Sequence, residues 1–226
     1  MLNNKQIIHV YFMPGLAANS SIFEYIKLPE DQFQIHLLEW IIPSTEETLA
    51  HYAQRMNQYI KHEDIVLIGV SFGGIIVQEM SKYLDLKRLI IISSVKCSNE
   101  LPRRMKYAGK TGFFKLIPTS LVDYVDQLEK IAVGDYITKR AQLYKKYISV
   151  RNTKYLDWAI KNMVLWDCAK PIEGIIHIHG DMDEVFPHKY IKECITVKGG
   201  THIMIINRYK WFNKHLPGII TNGKPS

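Results

Sequence analysis

The sequence predicts an α/β fold in which a mainly parallel sheet has helices on both faces. Short apolar runs rich in β-branched residues alternate with segments of helical periodicity, and strands that are apolar nearly throughout require cover on both faces. The chain has 226 residues, of which 47% are hydrophobic and 23% charged. This is enough for one sizeable core and too little for two enzyme-sized domains, so we expect a single domain over residues 1–226.

The predicted strands are short runs of apolar and β-branched residues. The first run ends in Pro14-Gly15, which indicates a strand that enters a loop. Six runs have this character, which gives a sheet of six strands. They are Ile7–Met13, Phe33–Trp40, Ile65–Val70, Arg88–Ser93, Gly174–His179 and Cys194–Lys198.

Three segments between the strands have a helical pattern: Thr45–Lys61, Phe72–Leu84 and His202–His215. Ser44-x-x-Glu47 before the first of them has the spacing of a capping box, in which hydroxyl and carboxylate each accept from a free amide at the helix start. The alternation of strand and helix is interrupted only between about residues 94 and 166. An insertion of this size must lie over an end of the sheet, so we expect a small helical cap at about residues 96–166.

Positive charge is concentrated in the predicted cap. The whole chain has a formal net charge of +7, whereas the segment from Pro102 to Lys154 alone contains twelve basic and four acidic residues. Because no known nucleic-acid motif accompanies this segment, we expect no nucleic-acid partner. Two interpretations of this segment stay open. It is a solvated helical surface, or it gives a preference for anionic substrates or membrane surfaces.

Composition favours a soluble, cytoplasmic protein without stable membrane insertion. No apolar run approaches the roughly 18 residues that a membrane span needs, and the first residues lack the pattern of a secretory signal. Cys97, Cys168 and Cys194 are odd in number and form no Cys-x-x-Cys pair. We therefore expect buried apolar side chains rather than disulfides or zinc ligands.

The candidate nucleophile is Ser71, in the stretch Gly69-Val70-Ser71-Phe72-Gly73-Gly74. A Gly-x-Ser-x-Gly pattern alone is weak, but this one lies directly between a predicted strand and a predicted helix. There the glycines leave room for a tight turn that exposes the serine above the sheet, and the helix start offers amides to a developing oxyanion. The alternative is a glycine-rich turn whose serine caps the helix.

A serine hydroxyl becomes a nucleophile when a histidine accepts its proton and a carboxylate orients that histidine. Asp181, Asp183 and Glu184 follow the fifth predicted strand. His202 follows the sixth strand. Because open α/β sheets bind ligands at the carboxyl ends of their strands, we expect an acid and His202 to meet Ser71.

These motifs resemble those of the α/β-hydrolase superfamily, in particular a small esterase or thioesterase, over most of the chain outside the cap. In that family the acid commonly lies in His-Gly-x-x-Asp-x-x-x-Pro, and His179 to Pro187 match this stretch with Asp183 at the acid position. The family's Gly-Gly-x-His turn corresponds to Gly199 to His202. The resemblance therefore implies a Ser71, Asp183 and His202 triad.

The resemblance also implies that the backbone amides of Leu16 and Phe72 form the oxyanion hole. Two departures from the family pattern concern the start of the chain. Pro14-Gly15 stands where many relatives have His-Gly, and the usual antiparallel strands at the N-terminus are missing. A minimal sheet of about six strands is what this departure predicts.

The function predicted from these residues is hydrolysis of a carboxylic ester or thioester through an acyl-enzyme. The same triad would serve an acyltransferase, a carbon–carbon bond hydrolase or a lyase, and a non-catalytic binding protein is a further alternative. We expect a small-molecule acyl substrate, an anionic one if the basic cap takes part. Ala17 and Trp40 are expected to frame the substrate pocket, whereas the oligomeric state is not indicated.

Aromatic residues of the cap are consistent with an acyl chamber and equally with the core of the cap. No cofactor is expected, since neither a Walker loop nor dinucleotide-binding glycine spacing occurs. No metal is expected either: His177 and His179 share one side of a strand, but a third ligand at suitable spacing is not evident. The cap aromatics are Tyr107, Phe113, Phe114, Tyr124, Tyr136 and Trp158. We expect surface positions or hydrogen-bonded core positions for His9, His36, His51, His62, His188 and His215.

Overall fold

Six parallel strands form the centre of the fold in a computed structural model, which describes residues 7–113 and 146–225. The strands lie in the order β2-β1-β3-β4-β5-β6, and each of the five neighbouring pairs is parallel. The predicted α/β class with a six-stranded sheet is thereby confirmed. The strands are β1 (Ile8–Met13), β2 (Phe33–Leu37), β3 (Ile65–Val70), β4 (Leu86–Ile92), β5 (Ile176–Gly180) and β6 (Ile195–Val197).

Helices cover the sheet on both faces. In the described parts of the chain they are α1 (Leu49–Asn57), α2 (Phe72–Ser81), α3 (Arg103–Thr111), α4 (Thr153–Val164), α5 (Met204–Asn207) and α6 (Tyr209–Asn222). Short 3-10 helices lie at Ser20–Phe23, Ser98–Glu100 and His188–Tyr190.

Two hydrophobic cores lie on opposite faces of the sheet. Because successive side chains of a strand point to opposite faces, β3 contributes Leu67 to one core and Ile68 to the other. Helices α1, α2 and α4 pack on the first core, and α5 and α6 pack on the second. Burial on both faces explains why the central strands are apolar at every position rather than at alternate positions.

Helix α1 begins later than predicted. Its N-cap is Thr48, whose side chain accepts from the His51 amide, so the prediction that the helix starts at Thr45 is wrong. The Glu47 carboxylate accepts from the Ser44 amide at 2.8 Å, but this bond belongs to a turn ahead of the helix. Glu47 also accepts from Arg55 at 2.6 Å, which ties that turn to the helix.

The last predicted helix, His202–His215, is two helices in the structure. Helix α5 ends at Asn207, and α6 runs from Tyr209 to Asn222 with Pro217 in its interior. The buried residues of α6 recur at helical spacing and continue beyond the proline, so burial outweighs the hydrogen bond that proline removes. These residues are Phe212, Leu216, Ile219 and Ile220.

Residues 114–145 of the predicted cap lie outside the described residues, so its extent of 96–166 stays a prediction. Its two described helices, α3 and α4, pack together closely, since a Cβ added to Gly109 would lie 2.7 Å from the Val164 carbonyl oxygen. Helix α4 also contacts the main domain, where Trp158 Nε1 donates to the Glu47 carbonyl at 2.7 Å. Among the helices described, none combines the length and apolar character needed to cross a membrane.

Candidate active site

Ser71 occupies a strained turn between β3 and α2. Its φ of 53° and ψ of −122° lie outside the regions that non-glycine residues normally adopt. Backbone contacts hold the turn: the Ser71 amide donates to the Ile92 carbonyl at 2.9 Å, and the Ser94 hydroxyl donates to the Ser71 carbonyl at 2.7 Å. Although Ser71 is the N-cap residue of α2, its side chain makes no capping hydrogen bond. The hydroxyl is therefore available for another partner.

The turn requires glycine at positions 69 and 73. A Cβ on Gly69 would lie 2.3 Å from the Gly73 carbonyl oxygen, and a Cβ on Gly73 would lie 2.2 Å from the Pro14 carbonyl oxygen. Backbone atoms in a packed interior cannot move aside as the end of a flexible side chain can. The Gly-x-Ser-x-Gly pattern thus marks the point where β3, α2 and the loop after β1 meet at backbone distance.

Ser71, His202 and Asp183 form a hydrogen-bonded chain. His202 Nε2 lies 3.0 Å from Ser71 Oγ, and His202 Nδ1 lies 2.9 Å from Asp183 Oδ2. The imidazole is 22% exposed, whereas the Asp183 side chain is fully buried. A carboxylate at Nδ1 favours the tautomer that has its proton there, which leaves Nε2 free to accept the serine proton.

The backbone of its own loop holds the Asp183 carboxylate in place. Its Oδ1 accepts from the amides of Val185 and Phe186 at 2.8 and 2.9 Å. Both carboxylate oxygens therefore have partners, and Oδ2 is directed at His202. Such a carboxylate is oriented before any substrate binds.

A buried pair of histidines lies behind this acid loop. His179 Nε2 donates to the Phe186 carbonyl at 2.8 Å, and His177 Nε2 lies 3.1 Å from His179 Nδ1. Burial lowers the pKa of both imidazoles, most strongly for His177. Near neutral pH the pair is uncharged, and its hydrogen bonds brace the loop that carries Asp183.

The other two candidate acids have different contacts. Asp181 is exposed, and its Oδ1 accepts from the Gly199 amide at 2.6 Å, in the turn before His202. Glu184 is also exposed, and its backbone carbonyl accepts from Arg104 of α3 at 2.8 Å. Of the three carboxylates considered from the sequence, Asp183 is the one hydrogen-bonded to His202.

Phe72 follows Ser71 directly, and the loop that carries Leu16 lies against Ser71 at Gly15. Phe72 is the first residue of α2, where an amide has no partner within its helix. The loop of Leu16 also meets the serine, since a Cβ on Gly15 would lie 3.3 Å from Ser71 Cβ. Within residues 7–113 and 146–225 neither amide donates a hydrogen bond. Both are free to donate to an oxygen bound next to the serine.

Trp40 fixes the loop that follows β1. Its Nε1 donates to the Gly15 carbonyl at 3.0 Å, and its ring stacks on Phe72 with centroids 5.5 Å apart. The ring of Tyr155 in α4 also packs on Trp40, with ring centroids 5.0 Å apart. These contacts give Trp40 a positioning role, and its contact with substrate stays a prediction.

Ala17 is held through its backbone. Its amide donates to Tyr155 Oη at 3.4 Å, and its carbonyl accepts from the Val150 amide at 3.0 Å. The residue is buried, with a φ of 62°. The later part of the predicted cap, with Val150 and Tyr155, is therefore hydrogen-bonded to the loop after β1. Sequence reasoning missed this contact because Ala17 and Tyr155 are 138 residues apart.

The described aromatic residues of the cap do not share one location. Trp158 is buried and packs on Tyr52 with ring centroids 4.3 Å apart, so it belongs to the core. Tyr107 and Phe113 are 68% and 59% exposed, which does not fit the interpretation as an acyl chamber. Phe114, Tyr124 and Tyr136 lie outside the described residues.

The three cysteines are free. Cys97 is buried, and Cys168 and Cys194 are half-buried. Burial raises the pKa of the Cys168 and Cys194 thiols, so both stay protonated and poorly nucleophilic near neutral pH.

Comparison with known proteins shows the fold. No protein-family model and no curated protein matches the sequence. A carboxylesterase from the thaumarchaeon Nitrososphaera gargenis superposes with a TM-score of 0.67 and 15% identity over 97% of this chain and 93% of its own. For an esterase from Exiguobacterium antarcticum the values are 0.63, 18%, 95% and 92%.

A third solved structure is described as a member of the α/β-hydrolase superfamily. An epoxide hydrolase of the α/β-hydrolase superfamily, from metagenomes of hot environments, has a TM-score of 0.63 and 12% identity over 96% of this chain and 92% of its own. At such identities the similarity lies in the arrangement of strands and helices. The parallel six-stranded sheet and the solved structures together show that this chain has the α/β-hydrolase fold.

Proposed function

We propose that the protein is a serine hydrolase that cleaves a carboxylic ester or a thioester. The observation that carries this proposal is the position of the His202 ring, which links Ser71 Oγ at 3.0 Å to the buried Asp183 carboxylate at 2.9 Å. Structural similarity to a carboxylesterase and an esterase supports the same class of reaction.

In the first step Ser71 Oγ attacks the acyl carbonyl of the substrate while His202 Nε2 takes the hydroxyl proton. The Asp183 carboxylate stabilises the imidazolium that results. The amides of Leu16 and Phe72 donate to the oxyanion of the tetrahedral intermediate. When the intermediate collapses, the leaving alcohol or thiol takes the proton from His202, and the acyl group stays on Ser71.

In the second step His202 Nε2 accepts a proton from water, which attacks the acyl-enzyme carbonyl. The same two amides stabilise the second oxyanion. Collapse returns the proton to Ser71 Oγ and releases a carboxylic acid. Each proton moves through Nε2, so a single imidazole serves as base and as acid.

Turnover of p-nitrophenyl acetate tests the proposal, with Ser71→Ala compared against Ser81→Ala. Ser81 lies at the other end of α2, and its hydroxyl donates to the Gln78 carbonyl, so it is a matched control outside the site. We expect Ser71→Ala to lower kcat by about 10⁴-fold or more and Ser81→Ala to keep it. Full turnover by Ser71→Ala would overturn the proposal.

Product analysis then separates hydrolysis from acyl transfer. An ester and its matching thioester are supplied with water alone, and then with a competing alcohol or thiol. We expect the free carboxylic acid as the main product in every mixture. A main product formed on the added alcohol or thiol would assign the same triad to an acyltransferase.

A further inference from the structure

Three histidines meet beside the edge strand β2, outside the triad. His9 lies in β1, His36 in β2, and His62 in the segment between α1 and β3. One ligand nitrogen of each ring lies within 4.8 Å of the other two. His9 Nδ1 is 3.0 Å from His36 Nε2, and the rings of His9 and His62 stack with centroids 3.5 Å apart. Among the residues described, no other group of three metal-binding side chains converges in this way.

The sheet itself brings these side chains together. His36 is registered opposite Tyr11, and Tyr11 and His9 share one side of β1 because they are two residues apart. His62 approaches from the segment after α1 and lies 2.6 Å from Tyr11 Oη through its Nδ1. The three imidazoles are therefore fixed by two paired strands and one anchored segment.

We propose that His9, His36 and His62 bind one Zn²⁺ or a similar borderline divalent ion, with water in the remaining coordination position. Imidazole nitrogens bind Zn²⁺ at about 2.0–2.1 Å, so two ligand nitrogens of a tetrahedral site lie roughly 3.3 Å apart. His9 Nδ1 and His36 Nε2 lie 3.0 Å apart, near this value. The His62 nitrogen lies within 4.8 Å of both, so the His62 ring has to turn out of its stack on His9 when the ion binds.

Tyr11 orients the His62 ring through one of its two nitrogens. Tyr11 Oη already accepts from the Lys61 amide at 3.1 Å and can also accept from His62 Nδ1–H, which leaves His62 Nε2 free to bind an ion. A partner of this kind, which orients a ligating histidine through its other nitrogen, is typical of metal sites.

The cluster is accessible from solvent. His36, His62 and Tyr11 line an open groove of about 680 Å³, through which an ion and its water ligand would enter. Lys61 also lines this groove, but its ammonium group donates to the Gln58 carbonyl at 2.5 Å. A bound ion would cross-link β1, β2 and the segment before β3, so we expect it to stabilise the fold.

Calorimetric titration of the full chain with Zn²⁺ tests this site, on protein prepared without a histidine tag and treated with a chelator. We expect one ion per chain. The double variant His36→Gln/His62→Gln should bind about 100-fold more weakly or worse. His51→Gln is the matched control, because the His51 side chain is 61% exposed and lies in α1.

Three further measurements control for misfolding of the double variant and for binding of the ion at another site. Zn²⁺ should raise the Tm of the wild type and not that of the double variant, and a cooperative thermal transition followed by circular dichroism should show that the double variant is folded. Co²⁺ should give the visible spectrum of a nitrogen-ligated ion in the wild type. Failure of the wild type to bind one ion would overturn the proposal.

Undiminished binding by the double variant would also overturn it. That result would place the ion elsewhere, for example where Cys194 Sγ lies 3.7 Å from His188 Nε2. A thiolate ligand would then appear in the Co²⁺ spectrum, and His188→Gln would abolish it. Neither result depends on Ser71 chemistry, so the metal site and the proposed hydrolase activity are tested separately.

Discussion

Ser71 combines an unusual backbone with an unusual freedom of its side chain. A non-glycine residue with a φ of 53° carries a strain of about 1–3 kcal/mol, which persists only where the surroundings enforce it. Here Gly69, Gly73 and two hydrogen bonds to the Ser71 backbone enforce it. The hydroxyl is directed at His202 rather than at the helix amides. Strain of this kind at a single residue is typical of a functional position.

Asp183→Asn tests the role of the buried carboxylate. An amide at this position would favour the His202 tautomer with its proton on Nε2, which cannot accept the serine proton, so we expect kcat to fall by about 10⁴-fold while the protein stays folded. The measurement is p-nitrophenyl acetate turnover combined with a thermal melt. Asp181→Asn is the control, since Asp181 is exposed and bonds to Gly199. Equal losses in both variants would contradict the assignment of the acid.

At the scale of elements, the site depends on segments that are far apart in sequence. The loop after β1 is held by Trp40, which follows β2, and by Val150 and Tyr155, which lie in the later part of the predicted cap. The position of the loop that carries Leu16 thus depends on one contact from the segment after β2 and on others from the predicted cap. We therefore expect substitutions in the cap to displace the loop after β1.

Trp40→Phe separates positioning from substrate binding. The variant keeps an aromatic ring against Phe72 but loses the hydrogen bond to the Gly15 carbonyl, so the loop after β1 is less well fixed. We expect kcat to fall about tenfold with KM nearly unchanged, because the loss is felt in the transition state. Steady-state kinetics on one ester measures both constants. A rise in KM at constant kcat would instead make Trp40 a substrate-binding residue.

Sequence reasoning succeeded for elements whose signal is local. The central strands are buried on both faces, so their apolar runs predicted β3 to the residue and the other five strands to within three residues at either end. Helix limits were less well predicted, because Ser44 and Thr48 are both acceptable caps and the structure uses Thr48. The length of α6 was missed because Pro217 signals an end, whereas its buried residues continue past it.

In the candidate site, too, residues with a local sequence signal were predicted and contacts without such a signal were missed. Ser71, Asp183 and His202 lie in short motifs at strand ends, and the structure brings the three together, although their catalytic role stays a prediction. The contact between Tyr155 and Ala17 has no local signal. The meeting of His9 with His36 was missed for the same reason, since it follows from strand register and not from spacing along the chain.

At the scale of the whole molecule, two histidines are buried in the interior, His177 and His179. Burial lowers the pKa of His177 and His179 below the ordinary value of 6.5, so the unfolded chain binds protons more readily than the folded one. Their contribution to stability is therefore complete above pH 6.5 and is lost as the pH falls from there toward their folded pKa values. His9 and His36 act in the same direction.

His177→Gln tests this acid sensitivity. The glutamine amide can still donate to His179 Nδ1 but does not titrate in this range, so one source of proton uptake on unfolding is removed. From urea unfolding at pH 7.5 and 5.5 we expect the wild type to lose more stability than the variant, by up to about 1.4 kcal/mol per pH unit. Identical losses would show that His177 does not contribute.

The most direct test of the central claim is covalent labelling by a serine-directed phosphonate, read by mass spectrometry of the peptide that contains Ser71. If His202 Nε2 activates the hydroxyl, one phosphonate should attach to Ser71 in each chain. Labelling should be absent in Ser71→Ala and slowed by at least about 10³-fold in His202→Gln. Attachment to another residue, or labelling that proceeds equally fast without the imidazole, would contradict the activation of Ser71.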